Sequence, residues 1–336
     1  MSTISTRTST ARSEIAFACC VLLFMVMASA LTTIAPVAVS VVIVFLFAGP
    51  HNYAEARYFL TRLPARMGRL KPFFLTSTAG VITLSATFPL LTRIPAWLEW
   101  PAVTTVWLVG LWNTAFILWC TTLVVMRSRQ APRHDWDYAW PLGIAVIGLS
   151  WSAPVMLPFA LVYAHPLMGL WILDRELQKN YPAWRKAFHW CVLLLPIVLA
   201  AQWMLVGAWN LDGLQVSQEI HDQIARHSDP GFFSQDVGQR LIATHAFLEL
   251  LHYGIWLVAI PVVSGRVFSG SFNTIPLMKS SPSVSTSIRW LLLLSAFVVV
   301  TLWLCFLADY STTRDVYFTV ATLHVLAEIP FLLRLL

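Results

Sequence analysis

Three histidines in this chain are each followed four residues later by a glutamate: His51/Glu55, His245/Glu249 and His324/Glu328. Positions i and i+4 share one face of a helix, and each pair stands in or beside an apolar stretch. With nine His and seven Glu along the chain, chance would produce three such pairs on the order of once in a thousand. Imidazole and carboxylate on one buried face, three times over, point to a metal or proton site inside a membrane. The segment THAFLELLHYGIW is the densest case, with His245, Glu249 and His252 at i, i+4 and i+7 on one face. Its Glu249-x-x-His252 spacing is the one carboxylate-bridged di-iron bundles use. His165 adds a fifth imidazole at bilayer depth, followed at once by Pro166, with Asp174 at the membrane edge. His134, His189, His221 and His227 fall in loops or at span ends and read as ordinary.

Ionisable groups at bilayer depth are costly and face a protein interior or a wet cavity. Imidazole with carboxylate suits Fe, Zn or Mn, and the absence of paired thiolates argues against a soft-metal site. The five cysteines, Cys19, Cys20, Cys120, Cys191 and Cys305, are scattered in apolar runs with no C-x-x-C and read as small core residues. The expected metal ligands are therefore His51, His165, His245, His252 and His324, with Glu55, Glu249 and Glu328 orienting them or completing the coordination sphere. The plainer reading of each residue is that His serves as polar glue between membrane helices, or pairs with the Glu on its own helix. The recurrence of the pattern favours a common site.

The elements that must carry these groups follow from composition. Of 336 residues, 58% are hydrophobic and 11% charged, where a soluble domain has about 25% charged residues. Mean hydropathy is +0.70, and apolar runs near bilayer length recur from end to end. The expected fold is all-α, a single integral membrane domain over 1–336. About ten transmembrane helices (range eight to ten) lie near 15–34, 36–58, 73–93, 101–126, 139–155, 157–174, 188–208, 240–264, 289–308 and 313–335. The stretch 139–174 reads as two short spans, or as one span with a re-entrant piece. The N-terminal MSTISTRTSTARSE reads as a polar lead into a retained first span rather than a cleaved signal.

Loop charges set the orientation. Arg57, Arg62, Arg66, Arg69 and Lys71 follow span two. Arg127, Arg129 and Arg133 follow span four. Arg175, Lys179, Arg185 and Lys186 follow span six, and Arg266, Lys279 and Arg289 follow span eight. All fall on one side, which the positive-inside rule makes cytoplasmic, with both termini there. The net charge of +6 is thus a topology signal and not a nucleic-acid one, although the run from Arg57 to Lys71 could also meet anionic head groups. The loop 209–239, with Asp212, Glu219, Asp222, Asp229 and Asp236 against Arg226, reads as outer, with a short surface helix at 214–225. The loop 265–288 reads as cytoplasmic, and its Ser/Pro-rich part, 269–287, as irregular. Phosphate-loop, dinucleotide and zincin motifs are absent.

Gly49-Pro50-His51-x-x-x-Glu55 resembles the Pro-His-Gly-x-x-Asp signature of the bacterial membrane β-carotene 15,15′-dioxygenases, the bacteriorhodopsin-related-protein type. Asn52 stands where that family has Gly, and Glu55 where it has Asp. In that family multi-spanning helices hold a non-haem iron through histidines and cleave a carotenoid with O2. The resemblance implies that His51 is an iron ligand with Glu55 behind it. It covers about seven residues. His165, His245, His252 and His324 rest on their chemistry.

The leading expectation is a membrane-embedded non-haem iron oxygenase, in a bacterial inner membrane, acting with O2 on a hydrophobic isoprenoid or lipid. Its partners are the bilayer and a hydrophobic small molecule, with no nucleic acid. The same residues also fit a proton-coupled transporter with a His/Glu relay, a b-type haem protein with two axial His, or a scaffold in which they serve packing alone.

Overall fold

The computed structural model describes residues 2–64, 67–130, 136–208, 216–229, 233–265 and 275–335, with side chains from Ser13 onward. Arg66, Arg133, His134, Trp209, Asp212 and Arg266, like most of the segment 265–274, lie outside the described residues. The described residues form helices and no strand. In chain order these are α1 (Ser2–Ile34), α2 (Pro36–Arg62), α3 (Lys71–Thr87), α4 (Leu90–Trp97), α5 (Ala102–Gln130), α6 (Ala139–Ser152) and α7 (Met156–Asn180). There follow α8 (Pro182–Leu205), α9 (Gln218–Ser228), α10 (Gln235–Gly254), α11 (Ile260–Ser264), α12 (Pro282–Ala308) and α13 (Tyr310–Leu335). A π-turn, Ile255–Ala259, joins α10 to α11 as one unbroken helix.

Among the described residues eight helices are long and apolar enough to cross a membrane: Ser13–Ile34, Pro36–Arg62, Ala102–Gln130, Met156–Asn180, Pro182–Leu205, Gln235–Ser264, Pro282–Ala308 and Tyr310–Arg334. Leu23, Ile197, Met204, Phe297 and Leu307 expose more than half of their surface, as helices do when lipid is their solvent. The expected spans 73–93 and 139–155 come out shorter. The stretch 73–93 is divided into α3 and α4 at Phe88-Pro89, because Pro89 has no N–H to continue the ladder. The stretch 139–174 is two helices, α6 and α7, separated at Ala153-Pro154. Helix α7 runs on to Asn180, so Arg175 and Lys179 are helical. In the acidic segment 209–239 the short helix lies at Gln218–Ser228, capped by the Ser217 hydroxyl, which accepts from the Ile220 amide. Helix α12 opens at Pro282, with the Ser281 hydroxyl accepting the Val284 amide, so part of the Ser/Pro-rich segment is helix.

The chain groups into two compact units, Met1–Tyr58 with Val162–Thr274 and Leu294–Leu304, and Phe59–Leu161 with Ile275–Leu293 and Cys305–Leu336. In the first unit α1 packs on α8 and α10. Buried Gln202 of α8 ties these three helices, its amide donating to Thr32 Oγ1 at 2.8 Å and to the Ala243 carbonyl at 3.1 Å. Trp203 Nε1 donates to Thr244 Oγ1 at 2.7 Å. Helices α7 and α8 form a hairpin stapled by Asp174, which accepts two bonds from Arg185 (2.8 and 2.9 Å) and lies 2.6 Å from His189 Nε2.

In the second unit α3, α5 and α13 share a core of Phe73, Phe74, Leu84, Trp112, Phe116, Leu123 and Leu326. Indole donors replace side-chain pairs here: Trp112 Nε1 reaches the Leu84 carbonyl and Trp119 Nε1 the Thr76 carbonyl, both at 3.0 Å. Gly80 is required for that approach, since a Cβ there would lie 1.9 Å from Trp119 Nε1.

Candidate functional site

Helix α2 presents His51 through an irregular turn. Pro50 cannot donate to the carbonyl four residues back, Leu46, and the Trp303 indole N–H takes that carbonyl at 3.3 Å. One residue on, His51 Nδ1 lies 3.0 Å from the Phe47 carbonyl. A carbonyl only accepts, so Nδ1 carries the proton and Nε2 keeps its lone pair. Both His51 and Glu55 are buried, and a ring nitrogen of His51 lies within 4.8 Å of a Glu55 oxygen.

Helix α10 supplies the central ring. His252 is buried, and its Nδ1 lies 3.2 Å from the Pro166 carbonyl of α7. The same logic puts the proton on Nδ1 and the lone pair on Nε2. Among the described residues His252 Nε2 has no hydrogen-bond partner. Gly169, one turn beyond His165, gives the ring its space, because a Cβ there would stand 3.3 Å from His252 Nδ1. Small residues allow membrane helices this approach.

The three rings gather. His165 and His252 have centroids 4.6 Å apart, and a ligating nitrogen of each lies within 4.8 Å of the other. His51 and His252 have centroids 5.5 Å apart in a T-shaped arrangement. Tyr253 lies 4.5 Å from the His51 ring, and fully buried Trp256, on the π-turn, 6.3 Å from His252. A π-turn widens the helix by one residue and is frequent at functional sites. Here it begins three residues past His252.

Two of the other expected residues, His245 and Glu249, form a group of their own. His245 precedes His252 by seven residues, roughly 10 Å along the axis. It forms a separate polar cluster: its Nδ1 is 3.7 Å from Glu249 Oε2, its ring 5.0 Å from His227 and 5.7 Å from Tyr163. Tyr163 donates to the Ser228 and Leu241 carbonyls at 2.7 and 3.1 Å, fastening α7 to the ends of α9 and α10. His227, which reads as a loop residue in the sequence, is thus part of a buried cluster. His324 and Glu328 belong to the second unit, one turn apart on α13, with Glu328 fully buried and His324 half-buried.

One buried carboxylate escapes sequence reasoning. Glu176 accepts from Tyr58 Oη at 2.7 Å, Ser264 Oγ at 2.9 Å and Asn180 Nδ2 at 3.1 Å. Tyr58 in turn packs edge-on against Trp256 at 5.4 Å. The only sequence signal was Glu176/Asn180 at i, i+4, and the flanking Arg175 and Lys179 disguise it as loop charge.

Compared with known proteins, the chain matches no protein-family model, no curated protein sequence and no solved structure.

Proposed function

We propose that the chain is a membrane-embedded non-haem iron enzyme acting with O2 on a hydrophobic substrate. It would cross a bacterial inner membrane with both termini cytoplasmic. The observation that carries this reading is the shared tautomer of His51 and His252. Each ring gives its Nδ1 proton to a backbone carbonyl, the outer contact that metal-ligating histidines make. In that tautomer Nε2 is the nitrogen each ring would offer a metal. With His165 beside them, three imidazoles stand close together, and that donor set fits Fe, Zn or Mn better than a soft metal.

In this reading His51, His165 and His252 hold the ion, and Glu55 completes or orients the set. An iron with an open position supplies O2 binding and activation. Tyr253, Trp256 and Phe47, whose ring lies 6.2 Å from Tyr253, give an apolar aromatic wall. Such a wall excludes water and suits an aliphatic or isoprenoid chain. The full-length protein purified in detergent should hold stoichiometric iron by elemental analysis. His252→Ala and His165→Ala should lose it with helix content unchanged, and His245→Ala and His324→Ala test how far the coordination extends. Folded wild-type protein free of metal would overturn the proposal, and a Soret band would assign b-type haem instead.

A second reading has its own support. His227, His245, Glu249 and His252 form a ladder of protonatable groups from the end of α9 down α10, as a proton-coupled carrier needs. Proton-driven uptake in vesicles that vanishes on Glu249→Gln, with no metal in the protein, would favour it.

A further inference from the structure

The second unit gathers cations at one end of its helices. Arg127, near the C-terminus of α5, donates through Nε to the Leu333 carbonyl at 3.1 Å and through Nη2 to the Arg334 carbonyl at 3.3 Å. Arg334 donates through Nη1 to the Arg62 carbonyl, at the last residue of α2. The Arg334 guanidinium also sits over the Phe74 ring, 5.7 Å from its centroid. These contacts hold Arg127 and Arg334 half-buried and fixed, with Arg62 beside them. Arg69 and Lys71, at the start of α3, and Arg129, at the end of α5, are exposed at the same end.

Helix-end carbonyls explain the placement of these groups but not their charge. Each helix C-terminus offers roughly half a negative charge, so three of them offset only part of the charge that Arg127, Arg334, Arg69, Lys71 and Arg129 bring. The described carboxylates of this unit lie mainly elsewhere. Asp309 and Asp315 are at the opposite end of α13, Glu99 precedes α5, and Glu328 is buried within α13. Asp137 follows α5 in the chain. Neither Arg127 nor Arg334 makes an ion pair among the described residues. Each guanidinium has five N–H donors, and the carbonyl bonds use two on Arg127 and one on Arg334. The donors left over, on planar forks at the expected cytoplasmic interface, suit the oxygens of a phosphate.

We propose that Arg127 and Arg334, supported by Arg62 and Arg69, form a binding site for the phosphodiester headgroup of an anionic phospholipid. The site shares no residue with the histidine cluster, and its test does not depend on any metal. The lipid's phosphate meets the two fixed guanidiniums while its acyl chains lie along the apolar outer surface of the helices. Two cations at an anionic surface correspond to roughly thirtyfold in affinity.

The test titrates the full-length protein in neutral detergent with phosphatidylglycerol bearing a fluorescent acyl chain, against phosphatidylcholine of the same chains. The expected result is a preference of about that size for phosphatidylglycerol, weakened by salt and lost in the Arg127→Gln/Arg334→Gln double variant. Because these side chains also cap helices, Arg127→Lys/Arg334→Lys is measured alongside. It keeps charge but not the fork, and should retain part of the preference. Arg93→Gln, on α4, should leave it unchanged. Equal affinity for the two lipids, insensitivity to salt, or an equal loss in Arg93→Gln would overturn the site. Displacement of phosphatidylglycerol by millimolar inorganic phosphate would assign it to a soluble anion and overturn the lipid.

Discussion

A histidine becomes a candidate ligand less by its own identity than by what its far nitrogen touches. His51 and His252 stand out in the sequence because ionisable residues are rare in apolar runs. Which nitrogen each offers depends on the Phe47 and Pro166 carbonyls, and nothing in the residue pattern discloses that. The i+4 rule behind the opening pairs held for His51/Glu55 and His245/Glu249 as local geometry. It said nothing of Glu176, whose partners Tyr58 and Ser264 are distant in the chain. Gly169 tests how tightly the His252 ring is seated. Gly169→Ala should leave the fold intact, because a Cβ at 3.3 Å from Nδ1 requires only a shift of a few tenths of an ångström. Gly169→Val should displace the ring. Metal content measured beside thermal stability should fall in the order wild type, Ala, Val, and unchanged occupancy in the valine variant would show the ring is not held there.

At the scale of the helix, the long apolar runs were readable because a bilayer demands them. The interruptions at Phe88-Pro89 and Ala153-Pro154 were partly readable, since proline marks both. The run-on of α7 to Asn180 was not, because its last turns are charged and resemble a loop. The α3–α5 contact depends on one missing side chain. Gly80→Ala should destabilise the protein by roughly 1–3 kcal/mol through overpacking, and Trp119→Phe, which removes the indole N–H in the way, should recover part of that loss in the double variant. Denaturation midpoints of the four proteins check this. A second test concerns the junction of α12 and α13. Asp309 ends one helix and caps the next, its carboxylate accepting the Thr312 amide at 3.1 Å. Hydrogen bonding from Thr312 holds its carboxyl below the ordinary value of 3.8. A depressed acid stabilises the fold above its unfolded pKa and stops doing so as pH falls through the folded one. Asp309→Ala should therefore melt below wild type at neutral pH, and the gap should close as the buffer is taken below pH 3.8.

For the whole molecule, the all-α architecture was apparent from hydropathy alone, while the grouping of helices was not, because helix pairing in lipid rests on small residues and scattered hydrogen bonds rather than on a repeating pattern. The charge bias along α5 makes its orientation testable. In intact cells, with the native cysteines replaced, a cysteine put at Glu99 should react with a membrane-impermeant thiol reagent and one at Arg129 should not. The reverse pattern would invert the assignment of the cytoplasmic side. Neither compact unit is a continuous stretch of chain: each is made of three separate segments, and the unit holding His51, His165 and His252 includes Leu294–Leu304. During synthesis from the N-terminus, the first histidine must wait while about 250 further residues are translated before its unit is complete. No single cleavage can release that unit whole, so a ribosome that stalls before residue 294 leaves the imidazoles inserted but without the last helix segment of their fold.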